Sequence, residues 1–120
     1  MNKVDAEQEA ITKARAVSLP TIAGEINTYT GLVSDPPLGK DPLYYRSYLA
    51  ELLKIAIENK KLTKFMVEKL TTIKKLDAKQ YIRTKITTFL QTKPSTFLTE
   101  TYTRAPEVAE QMTRFLKSTT

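Results

Sequence analysis

The sequence predicts an all-α protein, a compact bundle of five to seven short helices forming a single domain over residues 1–120. Three observations carry this. All three glycines (Gly24, Gly31, Gly39) and four of the six prolines (Pro20, Pro36, Pro37, Pro42) fall between residues 20 and 42. From residue 43 onward helix breakers are nearly absent, whereas a sheet would need hairpin glycines throughout. Apolar residues also recur at spacings of three and four, and an apolar share of 41% beside a charged share of 27% is ordinary for a folded domain.

The first helix is expected from Val4 to Ser18, ending before Pro20, with Val4, Ile11, Ala14 and Val17 facing inward. A short second segment, Thr21 to Tyr29, places Ile22, Ile26 and Tyr29 on one face. Residues 31–41 (GLVSDPPLGKD) read as a surface loop, because two glycines flank Pro36-Pro37. The third helix has the strongest start signal: Asp41 as N-cap and Pro42 at the first helical position, where its missing N–H does no harm. Tyr45, Leu49, Leu52, Leu53, Ala56 and Ile57 form its apolar stripe as far as Lys60.

A fourth helix is expected near Thr63, burying Met66, Leu70 and Ile73. Asp77 followed by Gln80 reads as a capping box, so a fifth helix starts at Ala78. It presents Ala78, Ile82, Ile86, Phe89 and Leu90 to the core and stops before Pro94. Residues 95–104 are consistent with a short helix or an extended stretch. A last helix follows Pro106 and carries Val108, Met112, Phe115 and Leu116. The fourth and fifth helices should lie against the third.

Charge is the feature that points toward function. Residues 54–93 hold eleven Lys or Arg against three acids, a net +8, while residues 1–53 carry −2 and residues 94–120 are neutral. The chain's net +6 is therefore a property of its middle, on the basic helices of about residues 43–93. Such a concentrated positive field suits a polyphosphate or anionic partner. The chain has no cysteine and no histidine, which removes thiolate and imidazole chemistry, disulfides and Cys/His zinc sites. The acids are scattered, and no Gly-rich phosphate loop is present. We therefore expect no enzymatic activity, no cofactor and no metal.

On the third helix Glu51, Lys54, Glu58 and Lys61 alternate in sign along the side expected to be exposed, as a solvated face laced by ion pairs does. Beyond it the acids thin out. With Ile82 as the inward direction, Lys79 and Arg83 fall at about 60° and about 100° on one flank of the fifth helix, just after Lys75. Lys79 and Arg83 are separated by about 6 Å of helical rise, close to the spacing of successive phosphates. Lys64, Lys74, Lys75, Lys79, Arg83 and Lys85 are thus the candidate backbone contacts. Tyr81, between Lys79 and Arg83, is either a platform for an unpaired base or an ordinary core-edge tyrosine. Thr71, Thr72, Thr84, Thr87 and Thr88 lie on outward or flanking positions, where hydroxyls can reach phosphates. Tyr44, beside Arg46, is free enough to join a protein interface, while Tyr45 and Tyr48 face inward.

The segment Tyr45–Leu90, an apolar helix ending in the polar turn IENKKLTK and followed by two basic amphipathic helices, resembles the helical small subunits of CRISPR Cascade-type effector complexes. It is also similar to the small-subunit-like C-terminal regions of those complexes' large subunits. The resemblance covers under half of the chain, and residues 1–42 add nothing to it. It implies an antiviral defence role: a small helical bundle, present in several copies along a guide RNA, that holds DNA or RNA without cleaving it. Lys64, Lys75, Lys79 and Arg83 supply the bases that the pattern asks for. The alternative reading is a scaffolding subunit of a replication or transcription assembly, or a helical virion protein coating a genome. Membrane binding is disfavoured, since no surplus apolar face remains on the basic helices. The charged N-terminus has no apolar core like that of a signal peptide, so a cytoplasmic location is expected.

Overall fold

The computed structural model describes residues 3–93 and 105–118. Its helices are α1 (Lys3–Arg15), α2 (Ile22–Ser34), α3 (Pro42–Glu58), α4 (Lys64–Thr71), α5 (Leu76–Gln91) and α6 (Pro106–Lys117), with a 3-10 turn at Leu19–Thr21 leading into α2. Every regular element among the described residues is helical, as the breaker distribution predicts. The expectation for residues 95–104 lies outside the described residues.

Helix α3 is the hub, with α1, α2 and α5 packed around it. Its start follows directly from the sequence: Asp41 Oδ1 accepts from the Leu43 N–H at 2.9 Å, and Pro42 occupies the first turn. Leu49, Leu52, Leu53 and Ala56 are fully buried along it. Its end is a Schellman motif. The Lys61 N–H donates to Ala56 O at 2.7 Å and the Lys60 N–H to Ile57 O at 3.1 Å, with Lys60 in the left-handed region at φ 57°.

Helix α1 meets α3 through Ala6, Ala10 and Ala14, all fully buried at helical spacing. These small side chains let the two backbones approach closely. Ile11 and Val17, expected inward, are only partly buried, because the alanine row holds the contact. The approach also buries Glu51, which belongs to the expected exposed face of α3. Arg15 Nε donates to its Oε2 at 3.0 Å, and Lys54 Nζ lies 3.7 Å from Oε1. A carboxylate taken out of water is tolerable only when paired in this way.

Helix α2 runs past Gly31 to Ser34, beyond the expected end at Tyr29, and shortens the surface loop. Ile22, Ile26, Thr30 and Val33 form one buried row, and burial of Val33 outweighs a helical glycine's cost of about 1 kcal/mol. The Thr30 hydroxyl donates to Ile26 O at 2.7 Å and so enters the core satisfied. Tyr29 stacks on Tyr48 with ring centroids 3.8 Å apart, and Tyr45 and Tyr44 extend the aromatic cluster edge to face. Tyr44 is half-buried, with Lys13 Nζ 5.9 Å from its ring centroid.

Thr63 caps α4 by accepting from the Met66 N–H at 3.3 Å; Met66, Leu70 and Ile73 are buried as expected, and Val67 is buried with them. Helix α4 lies against α2 and α6 rather than chiefly against α3. Helix α5 begins two residues before the expected Ala78, with Lys75 at the N-cap position and no side-chain cap. Asp77 is not the N-cap because the helix already starts at Leu76, although its Oδ1 accepts from the Ala78 N–H at 3.0 Å. Arg46 donates to its Oδ2 at 3.0 Å, tying the start of α3 to the start of α5. That hydrogen bond and the guanidinium's charge hold the Asp77 carboxyl below the usual carboxylate range. Helix α6 closes the bundle with Ala109, Met112 and Phe115.

Candidate nucleic-acid interface

The basic residues singled out in the sequence separate into two groups once folded. Lys64 stands at the first position of α4, and Lys74 and Lys75 occupy the turn between α4 and α5. All three are exposed, and none has an ion-pair or hydrogen-bond partner for its side chain among the described residues. Lys79, one turn into α5, is half-buried and equally unpaired. It lines a cleft of about 390 Å³ between α4, α5 and α6, together with Glu68, Thr71, Gln111 and Arg114. Glu68 is the acid facing this group.

Arg83 is the correction. The expected ladder placed it in solvent beside Lys79, but it is 4% exposed. Its Nε donates to the Phe115 carbonyl at 2.8 Å, Nη1 reaches Gln80 Oε1 at 3.4 Å, and the guanidinium lies 5.0 Å from the Phe115 ring centroid. The reason is that α5 is covered on two sides. Ile82 and Ile86 are buried in the common core, and the flank about 100° away, where Arg83 projects, receives α6. Arg83 therefore holds α6 in place, and its position excludes the free phosphate-facing role assigned from the helical wheel.

Lys85 and Tyr81 are also committed. Lys85 Nζ lies 3.7 Å from Glu7 of α1 and 5.3 Å from the Tyr81 ring centroid. The Tyr81 hydroxyl shares a 2.8 Å hydrogen bond with Ser47 of α3. Tyr81 is thus a core-edge residue pinned at both ends, not an open platform. Lys93 pairs with Glu58 at 2.8 Å, so the ends of α5 and α3 neutralise each other, and Glu58 is not left to Lys61.

Two contributors were missed. Arg114, on α6, reaches the Lys79 cleft. Its stretch of sequence is neutral overall, so only the packing of α6 onto α4 and α5 reveals it. Phe65 is the other, an aromatic ring exposed on α4 among the bases. The five threonines are all exposed. Thr84, Thr87 and Thr88 line a groove of about 780 Å³ between α5 and α6, with Lys117 at its edge. The hydroxyls of Thr71 and Thr72 instead donate to the backbone carbonyls of Glu68 and Lys69, each at 2.6 Å.

The surface that results is open and positive, spread over the α4–α5 turn and the cleft below it. Among the described residues no group of three or more His, Cys, Asp or Glu is placed to hold a metal ion. No helix among them is long and apolar enough to cross a membrane. Comparison of the chain with protein-family models, with curated proteins and with solved structures gives no match.

Proposed function

We propose that this chain is a non-catalytic module that holds the sugar–phosphate backbone of DNA or RNA. The residues that do so are Lys64, Lys74, Lys75 and Lys79, joined by Arg114 across the cleft. The observation that supports this most is the contrast within the basic block. Lys54, Lys85 and Lys93 have carboxylate partners, whereas the bases at the α4–α5 turn have none. Unpaired, clustered ammonium groups are the arrangement that gains by releasing counterions from a polyanion. An open surface without base-reading geometry suits contacts that position a backbone rather than read its sequence. In an effector complex of the Cascade kind, such a subunit sits beside further protein subunits and lines the path of a guide or target strand.

The test compares two double variants with equal charge change. Lys75→Ala/Lys79→Ala removes two unpaired bases, and Lys85→Ala/Lys93→Ala removes two paired ones. The first pair should weaken binding to every sequence alike and make the slope of log K against log salt shallower by roughly 1.5, at about 0.7 to 0.9 per phosphate contact. The second pair should change the slope by less than half as much. Equal losses from the two pairs, or none from either, overturn the assignment. Assembly of the purified chain into a guide-RNA complex tests the wider role.

A second reading, a scaffolding or coat subunit, draws on Leu38. Its side chain is fully exposed at the tip of the loop that joins α2 to α3, in a sequence (DPPLGK) suited to a projecting contact. Filaments or particles formed by the purified chain, and lost on Leu38→Ser substitution, favour that reading.

A further inference from the structure

We infer that Phe65 is a stacking platform for an unpaired base, so that the nucleic acid held by the α4–α5 surface is single-stranded. The inference rests on the backbone-binding reading above and adds the class of strand. Helix α4 builds its buried face from Met66, Val67 and Leu70, and Phe65 projects about 150° away from the mean direction of those three. The core does not use it. Nor does the helix itself, because phenylalanine is a poorer helix former than the lysine or glutamate usual at such outward positions.

Phe65 as a residue is 47% exposed. Its surroundings are chosen for a polyanion: Lys64 precedes it, and Lys69 Nζ lies 5.2 Å from the ring centroid. Glu68, exposed at the next helical position round, is the one acid on this face of α4. A lysine beside an aromatic ring serves both halves of a nucleotide, the ammonium taking the phosphate and the ring taking the base. Tyr81, the aromatic that spacing alone suggested for this task, has its hydroxyl held by Ser47 and its ring half-buried against the core. In a duplex the base faces are hidden by their neighbours, so an outward ring on a convex helix gains nothing from double-stranded DNA. Only an unpaired strand offers a π-face to Phe65.

The experiment measures binding of the full chain to an oligothymidylate and to a blunt DNA duplex of equal length at fixed salt. Phe65→Ala should weaken oligothymidylate binding roughly tenfold, within the range that loss of one base–aromatic stack produces, and change duplex binding by less than about twofold. Phe65→Leu, which keeps an apolar side chain but no π-face, should behave like Ala. Phe65→Trp should restore affinity. The chain has no other tryptophan, so emission from the Trp variant reports directly and should be quenched by the oligonucleotide. An equal effect of Phe65→Ala on both nucleic acids, or none on either, overturns the platform. If Lys75→Ala/Lys79→Ala still weakens binding in that case, the backbone reading stands alone. If the unaltered chain binds neither nucleic acid at low salt, both readings fall together.

Discussion

Arg83 and Phe115 are joined twice: a 2.8 Å hydrogen bond runs from the guanidinium Nε to the Phe115 carbonyl, and the same guanidinium lies 5.0 Å from the Phe115 ring centroid. This contact fastens α6 to α5. Arg83→Ala should therefore act on stability before it acts on binding. It leaves a buried carbonyl without its donor and removes a packed side chain, together about 2 to 4 kcal/mol. Arg83→Lys should recover little of this, since an ammonium cannot donate and stack in the same geometry. Urea unfolding of the two variants checks both statements. A loss below about 0.5 kcal/mol for Arg83→Ala contradicts the structural role.

Lys60 sits at φ 57° at the left-handed position of the Schellman motif that ends α3. A side chain there is strained by roughly 1 kcal/mol, a penalty that glycine escapes. Lys60→Gly should raise stability by up to about 1 kcal/mol, less the greater freedom glycine adds to the unfolded chain. The midpoint of chemical denaturation should shift upward with an unchanged slope.

Gly31 lies inside α2, and a methyl group built on it would meet nothing within 4 Å. Gly31→Ala should stabilise the protein by about 0.5 to 1 kcal/mol, by narrowing the unfolded ensemble and favouring the helix. A decrease in the thermal midpoint would mean that α2 ends near Tyr29 after all.

These positions mark where sequence reasoning stops. The start of α3 was legible because Asp41 and Pro42 act on their own neighbours. The row Met66, Leu70, Ile73 was legible because each residue is buried for its own hydrophobicity. Gly31 misled because it scores against a helix locally, while the burial of Val33 is tertiary. Asp77 and Gln80 have the spacing of a capping box, but the helix starts earlier, at Leu76, and Arg46 and Arg83 bind the two side chains instead. Arg83 and Glu51 misled for one shared reason. A helical wheel drawn from a single apolar stripe assigns one buried side, and both α5 and α3 are covered on more than one. The charge block was visible from composition, but which of its lysines stay unpaired depends on where Glu7 and Glu58 arrive. For Phe65 a signal did exist: it stands opposite the apolar residues of its own short helix.

The aromatic cluster gives a pH dependence whose sign can be worked out. Burial raises the Tyr29 phenol above its ordinary value near 10, with the neighbouring Tyr48 adding to the shift. A phenol whose pKa is higher in the folded state contributes stability that is fully present below the unfolded pKa. Above about pH 10 the unfolded chain ionises first, and that stability is lost progressively as pH rises toward the folded value. The protein should therefore weaken in alkali from about pH 10, in step with exposure of Tyr29 from its stack on Tyr48. Tyr29→Phe keeps the 3.8 Å stacking partner and removes the ionisable group. It should show a flatter stability profile between about pH 9 and 11 than the unaltered chain, followed by denaturant titration at each pH. Identical profiles would mean that the Tyr29 phenol ionises as easily in the folded protein as in the unfolded one.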